Sequence, residues 1–367
     1  MLLIFVLLCT SLAIAQSDNL CFGCFPDEPI TAENVSHLSI TSGLEGYFYL
    51  VSIAGDSQSV AVVTGDQQSK PSFSANIIRP LLQKSEEVNN VVKEDLYWAS
   101  LHNITQSKDL TQIAYQPQGK WLAVGYQDGK IEFWDAMESN LEHTSWGKGK
   151  VEKMVYHPDG LGVITIEDAH FIGWHDLIDN GEYFEVADRE EMIYSIAISY
   201  DGLWLAAGTE TGVLIYNTRD FSLVADILLS KSINTIAFDR IDSHKLFVLT
   251  DKVSLWKWEL SPTDIRQIEV FKELAPQSLE FIGVKKENDQ EYHFVDSSIS
   301  PDSTVLVALD TLGCLRTWIF RQEQWKEIVT EPGNTGCESN PIYDVEFSPD
   351  GLWLMLGRIL FQTWAVP

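Results

Sequence analysis

Ile342-Tyr-Asp-Val-Glu-Phe-Ser-Pro-Asp-Gly351 runs directly into Leu352-Trp-Leu-Met-Leu-Gly357, and the same arrangement recurs upstream. It reads Leu110-Thr-Gln-Ile-Ala-Tyr-Gln-Pro-Gln-Gly119 with Lys120-Trp-Leu-Ala-Val-Gly125, and again Ile193-Tyr-Ser-Ile-Ala-Ile-Ser-Tyr-Asp-Gly202 with Leu203-Trp-Leu-Ala-Ala-Gly208. Looser copies begin at Val151 and Ile233 and run through Ser298-Ile-Ser-Pro-Asp-Ser303. A seventh, Phe48-Tyr-Leu-Val-Ser-Ile53 with Val60-Ala-Val-Val63, lies near the start. In each copy a strand of period two, such as Val345 and Phe347, meets a turn. Pro presets φ there and Gly accepts a positive one. The strand after the turn is almost wholly apolar, as a strand covered on both faces must be. The closing aromatics Trp134, Trp174, Tyr216, Trp256, Trp318 and Trp364 are spaced 40, 42, 40, 62 and 46 residues apart. Such a period predicts a propeller of four-stranded blades.

These pieces carry a family resemblance. Ser348-Pro-Asp-Gly-Leu-Trp-Leu354, Trp121-Leu-Ala-Val-Gly-Tyr-Gln-Asp-Gly-Lys-Ile131 and Phe133-Trp-Asp135 resemble the WD-repeat β-propellers over roughly residues 37 to 367. The fold this implies is all-β, a seven-bladed β-propeller. The chain is divergent. Only Trp134-Asp135 keeps the name-giving dipeptide, and no Gly-His precedes a blade. The buried His–Asp network of typical repeats is therefore expected to be missing. Closure is expected at the chain ends: Phe361 to Trp364 reads as the last third strand, and His37 to Thr41 as the outer strand that completes that blade. An open blade would otherwise expose an edge.

The N-terminus sets the expected compartment. Leu2 to Ala15 is an apolar run ending in Ala13-Ile14-Ala15, small residues at signal-peptidase spacing. It is shorter than the roughly 20 residues a bilayer span takes. No Lys or Arg precedes Lys70. The expected organisation is a signal peptide at 1–15, a Cys-bearing segment at 16–36 and the propeller at 37–367, in a secreted or lumenal protein with no further membrane span. Cys21, Cys24, Cys314 and Cys337 remain after cleavage and read as disulfides, since the pairs are too far apart for a four-thiolate zinc site. Cys314–Cys337 with Cys21–Cys24 is favoured. Linking the N-terminal pair to the other two is the alternative. Asn34 and Asn103 head glycosylation sequons.

The formal charge of −28 opposes binding to nucleic acid, which needs cations in place of phosphate counterions. No serine-nucleophile elbow, zinc-protease motif or phosphate-cradling loop occurs. Glu167-Asp168-Ala-His170-Phe-Ile-Gly-Trp-His175-Asp176 is dense in potential ligands, but His170 and His175 fall on opposite faces of a strand, so no metal or cofactor is expected. The stretch 80–95 reads as a short amphipathic helix, and 275–291 as an extended join.

The second residue of each innermost strand should face one channel mouth. These residues are Tyr49, Thr111, Glu152, Tyr194, Asn234, Val295 and Tyr343. Three tyrosines in such a ring suit a protein interface. The expected function is thus a monomeric, non-enzymatic scaffold docking a protein partner on its face. A secreted propeller enzyme or small-ligand receptor, with its site at the channel mouth, is the alternative. Fold alone does not separate the two.

Overall fold

A computed structural model describes residues 6–9, 39–42, 47–57, 59–65, 73–88, 91–178, 182–229, 232–249, 253–257, 272–273, 294–311, 313–321, 324–328, 342–352 and 354–358. Among the described residues all regular structure is strand. First come β1 (Val6–Cys9) and β2 (Ser39–Ser42). Next are β3 (Tyr47–Ile53), β4 (Val60–Gly65), β5 (Phe73–Val88) and β6 (Val91–Ser107). Then follow β7 (Leu110–Tyr115), β8 (Trp121–Tyr126), β9 (Lys130–Asp135) and β10 (Leu141–Trp146), and after them β11 (Val151–Tyr156), β12 (Gly162–Glu167), β13 (Phe171–Asp176) and β14 (Tyr183–Asp188). The middle of the chain gives β15 (Ile193–Ile198), β16 (Trp204–Thr209), β17 (Gly212–Asn217) and β18 (Leu223–Leu228), then β19 (Thr235–Phe238), β20 (Lys245–Leu249), β21 (Val253–Lys257) and β22 (Lys272–Glu273). Last are β23 (Phe294–Ile299), β24 (Val305–Asp310), β25 (Leu315–Arg321), β26 (Gln324–Ile328), β27 (Ile342–Phe347) and β28 (Leu354–Arg358).

Six sheets are four-stranded antiparallel meanders in chain order, and one joins both chain ends in the order β2-β1-β28-β27. The protein is an all-β propeller. Five meanders are complete blades with four strands of at least five residues: β3–β6, β7–β10, β11–β14, β15–β18 and β23–β26. That is fewer than the seven the repeats predict. In the sheet β19–β22 the outer strand is only Lys272–Glu273, and the remaining sheet is the composite one. Each innermost strand lies against the next, from β3 through β7, β11, β15, β19 and β23 to β27, and β27 lies against β3.

The composite sheet corrects the expected closure. Its outer strand, Ser39–Ser42, falls close to the expected His37 to Thr41. The third place beside β28, however, is held by Val6–Cys9, with Leu7 opposite Met355 and Leu8 opposite Leu354 and Ile40. An apolar run suits a place flanked by strands on both edges. Residues 359–367, the expected third strand, lie outside the described residues. So does 275–291. The helix expected over 80–95 is replaced by a long hairpin. β5 and β6 pair from Phe73↔Ser107 to Val88↔Val91.

The turns explain why the repeats carry glycine. Gly119, Gly160, Gly202 and Gly351 follow the innermost strand with φ between 73° and 77°. Each donates its N–H to the carbonyl three residues back. In two blades serine stands there instead, Ser57 and Ser303, both at φ 56°. Serine is strained in this region, but its hydroxyl bonds a neighbouring blade. Ser57 Oγ accepts from Asp350 N–H (3.0 Å), and Ser303 Oγ accepts from Arg240 N–H and donates to Asp239 Oδ1 (2.8 Å each).

The core lies between the blades. β12, β16 and β24 are buried along their whole length. Ala61, Val63 and Ile77 of one blade pack with Leu122 and Val124 of the next, and Trp204, Val213 and Ile215 with Ile236, Leu246 and Val248. Gly202→Ala tests the turn geometry. A Cβ there would sit 2.8 Å from His157 Cε1, on a backbone at φ 73°. The variant should lose about 1–3 kcal/mol in urea denaturation.

Candidate functional site

Because the strands alternate in direction, the first and third turns of every blade share one end of the propeller, here the turn end. The second turns and the blade-to-blade joins share the other, here the joint end. The innermost strands begin at the joint end.

Six of the seven ring residues expected at that end share an unusual backbone position. The ladder skips Tyr49 in β3, Thr111 in β7, Glu152 in β11, Tyr194 in β15, Val295 in β23 and Tyr343 in β27. Each is therefore the extra residue of a β-bulge, a device that twists a strand and re-aims a side chain. The seventh, Asn234, precedes its strand β19.

Their side chains do not all converge. Tyr49 lies edge-on to Phe73 at 5.2 Å and over Gly65, where a Cβ would meet its ring at 2.4 Å. It turns into its own blade. Half-buried Tyr194 donates to Met192 Sδ (3.4 Å), and Val295 is exposed. Glu152 pairs with Lys150 at 3.1 Å, and Asn234 accepts from Ser232 Oγ at 2.8 Å. The Thr111 hydroxyl is buried without a hydrogen-bond partner. The side chain of Tyr343 lies outside the described residues.

Sequence reasoning missed a second group, the acids that line the channel. Asp344 Oδ2 accepts Val51 N–H (2.6 Å) and Glu346 Oε2 accepts Ile53 N–H (3.1 Å), tying the last innermost strand to the first. One seam back, Asp296 Oδ2 accepts Val345 N–H and Ser298 Oγ accepts Phe347 N–H, both at 3.0 Å. On the other side Ser52 Oγ accepts Tyr115 N–H at 2.9 Å. Asp344 and Glu346 are enclosed by protein yet keep part of their surface open to the channel. Burial raises the Asp344 carboxyl well above its ordinary range, and the charge and hydrogen bond of Asp296 add to this. Burial pushes Glu346 up to about 8, against the opposing pull of Arg240 and of Ile53 N–H. The available signal was the alternation Asp344, Glu346 against Val345, Phe347.

The ligand-rich stretch 167–176 forms a closed network, not a metal site. Glu167 and His175 are fully buried and meet at 3.0 Å through Nε2 and Oε1. Ser145 Oγ lies 2.8 Å from His175 Nδ1. Thr165 Oγ1 (2.7 Å), Lys148 N–H (2.6 Å) and Tyr183 OH (3.2 Å) donate to Glu167. Burial alone would raise the Glu167 carboxyl, but these hydrogen bonds and His175 hold it below its ordinary value. Asp168 sits apart in the turn at φ 45°, accepting Lys150 N–H. The expected absence of a buried histidine–acid network is thus corrected: one blade carries one, with glutamate. No group of three or more His, Cys, Asp or Glu suited to a metal occurs among the described residues. Cys314 is buried and disulfide-bonded. Cys21, Cys24, Cys337 and Asn34 lie outside the described residues, and Asn103 is exposed on β6.

With this geometry in hand, the comparisons with known proteins divide by reach. Residues 83–164 match the model of the anaphase-promoting complex subunit 4 WD40 domain. Target of rapamycin complex subunit wat1 of Schizosaccharomyces pombe is 27% identical over 107 residues, 29% of this chain. Protein LST8 homolog of Dictyostelium discoideum is 30% identical over 105 residues, 28% of this chain. Each alignment spans 34% of the relative's own length. Among solved structures, the Cps50 (Swd1) β-propeller domain of Myceliophteria thermophila has a TM-score of 0.62 at 14% identity, covering 88% of this chain and 98% of that one. A mitotic checkpoint complex chain has a TM-score of 0.58 at 13% identity, covering 96% and 97%. These structures define the fold class, a β-propeller. Within that class the chain is similar to WD-repeat proteins over the residues that these sequence matches cover.

Two predictions follow from the buried acids. Glu346 is protonated in the fold at pH values where an unfolded glutamate is ionised. Its contribution is complete below the unfolded pKa and is lost as pH rises towards about 8. The melting temperature should therefore fall between pH 5 and pH 9, and Glu346→Gln should flatten that fall. His175→Leu should cost about 3–5 kcal/mol in urea denaturation, since it leaves the buried Glu167 charge without its partner.

Proposed function

We propose that the chain is a non-enzymatic protein-binding scaffold, a seven-bladed ring that docks a protein partner on its joint end. The observation that carries this is the repeated bulge. Six innermost strands spend a register irregularity at the same place and on the same end. A bulge re-aims a side chain; at this end Val295 is exposed and Tyr194 half-buried, while Tyr49 turns into its own blade. The acids of the channel support the same reading, because they are engaged in joining strands. The seven-sheet count is supported by the contact of every innermost strand with the next, β27 to β3 included. The relatives' names fit a scaffold as well, one of them being a complex subunit.

The compartment belongs to the same proposal. We read residues 1–15 as a cleaved signal and the mature chain as secreted, with Cys21, Cys24, Cys314 and Cys337 oxidised and exposed Asn103 glycosylated. On this reading cleavage removes Val6–Cys9 from its place beside β28. Edman sequencing of the mature protein should begin near Gln16; a soluble product that retains Met1 would contradict secretion.

Affinity capture followed by mass spectrometry tests the docking face. A partner held by the intact chain should bind at least tenfold more weakly to Tyr194→Ala/Val295→Ser, a loss typical of hot-spot truncation. Unchanged capture by this folded variant would remove the joint end from the proposal.

A further inference from the structure

We propose that the turn end of the propeller is a second docking surface, built for a cationic polypeptide segment with apolar anchors. Four neighbouring sheets present large apolar side chains on their tips there. Tyr200 is 68% exposed and Ile241 72% exposed, and Met137, Leu161 and Ile178 are exposed beside them. Each lies in the first or third turn of its sheet, so all share the turn end. Isolated exposed apolar residues are ordinary, whereas a contiguous patch marks an interaction site.

Backbone bonds within blades and side-chain bonds between them connect these tips. Ala136, next to Met137, donates its N–H to Lys120 C=O at 2.9 Å. Gln118 Nε2 then reaches Pro158 C=O in the next blade at 3.2 Å. Leu177, next to Ile178, donates to Leu161 C=O at 2.9 Å. His157 Nε2 meets Gly202 C=O at 2.8 Å, in the turn that carries Tyr200. Arg240, beside Ile241, lies within electrostatic reach of Tyr200. Neighbouring tips are thus linked from Met137 to Ile241.

The charge around the band selects its occupant. The turn carboxylates Asp56, Asp159, Asp201, Asp220 and Asp350 are exposed on this end. Exposed cations there, among the described residues, are fewer: Lys120, Arg219 and Arg321. Two of these aspartates cap their own turns: Asp159 accepts Leu161 N–H and lies 2.8 Å from His157 Nδ1, and Asp201 accepts Leu203 N–H and the Ser199 hydroxyl. A segment that places apolar side chains among the tips and Lys or Arg over the carboxylates complements both features.

The β5–β6 hairpin projects from the same end of the propeller. Its root pair Ile78↔Ser100 lies level with Val60, at the turn end. From Arg79 to Val88 it pairs only with itself among the described residues. Ten residues carry it roughly 33 Å beyond the sheet. Pro80↔Trp98, Leu81↔Tyr97 and Leu82↔Leu96 sit at its base.

The test uses the full chain and two fluorescent amphipathic peptides of equal length, one of Leu and Lys and one of Leu and Glu, read by anisotropy. The Leu/Lys peptide should bind, and the Leu/Glu peptide should not. Leu161→Ser/Ile178→Ser/Tyr200→Ser/Ile241→Ser should weaken Leu/Lys binding at least tenfold with its melting temperature unchanged. Asp159→Asn/Asp201→Asn, which keeps both caps, should weaken it and reduce its salt dependence. Met192→Ser/Val295→Ser, at the joint end, should leave it intact. Equal binding of the two peptides, no binding of either, or full affinity in the quadruple variant would each overturn the proposal. The last result would show attraction by net charge alone. Only the Met192→Ser/Val295→Ser control touches the joint end, and it is expected to be silent, so failure here is distinct from failure of the docking reading above.

Discussion

The propeller depends on how its innermost strands are held to one another. Each has a ladder on one edge only, against the second strand of its own blade. On its other edge every second N–H faces the neighbouring blade with no strand to receive it, and a buried donor left unpaired is costly. Side chains answer this need. Asp344 and Glu346 reach Val51 and Ile53, Asp296 and Ser298 reach Val345 and Phe347, and Ser52 reaches Tyr115. The first of these seams joins residues 293 apart in the chain. It is where a ring either closes or opens.

Neutral hydroxyls suffice at some seams, while carboxyls serve the seam that joins the two ends of the chain. Carboxyls reach further, but they lie close together. Asp344 shares a hydrogen bond with Asp296, and Arg240 faces Glu346. The result is a proton-retaining junction inside a strongly acidic protein. The turns follow the same logic on a smaller scale. Ser57 and Ser303 accept a strained φ where other blades use glycine, and each gains a bond to a neighbouring blade. Glu167 and His175 do for one blade what packing does for the others.

Much of this fold was legible in the repeats because turn chemistry and strand period agree at each copy. Gly202 and Gly351 read correctly as positive-φ positions, and Trp204-Leu-Ala-Ala as a buried second strand. The hairpin over 73–107 did not, because Leu81, Leu82, Lys84 and Val88 also fit a helical stripe, and short mixed segments leave the two periods undecided. Closure was half legible: the outer strand was placed near Ser39, but the place beside β28, expected for Phe361 to Trp364, is held by Val6–Cys9. The ring of second positions was legible as a pattern, yet its side-chain directions were not. A bulge decides whether Tyr49 meets the channel or Phe73, and bulges leave no mark in composition. The seam acids were invisible for the same reason. Asp344 and Glu346 show period two, but nothing local tells which N–H groups across the ring await them.

The most direct test is site-resolved hydrogen exchange of the Val51 and Ile53 amides in the intact protein at neutral pH. If side chains close the ring, both amides exchange as slowly as the amide of Val62, buried in the adjacent strand β4. They should also be selectively released in Asp344→Ala/Glu346→Ala, which removes both acceptors. Exchange in the intact protein as fast as at Leu223, on the exposed outer strand β18, would contradict the account.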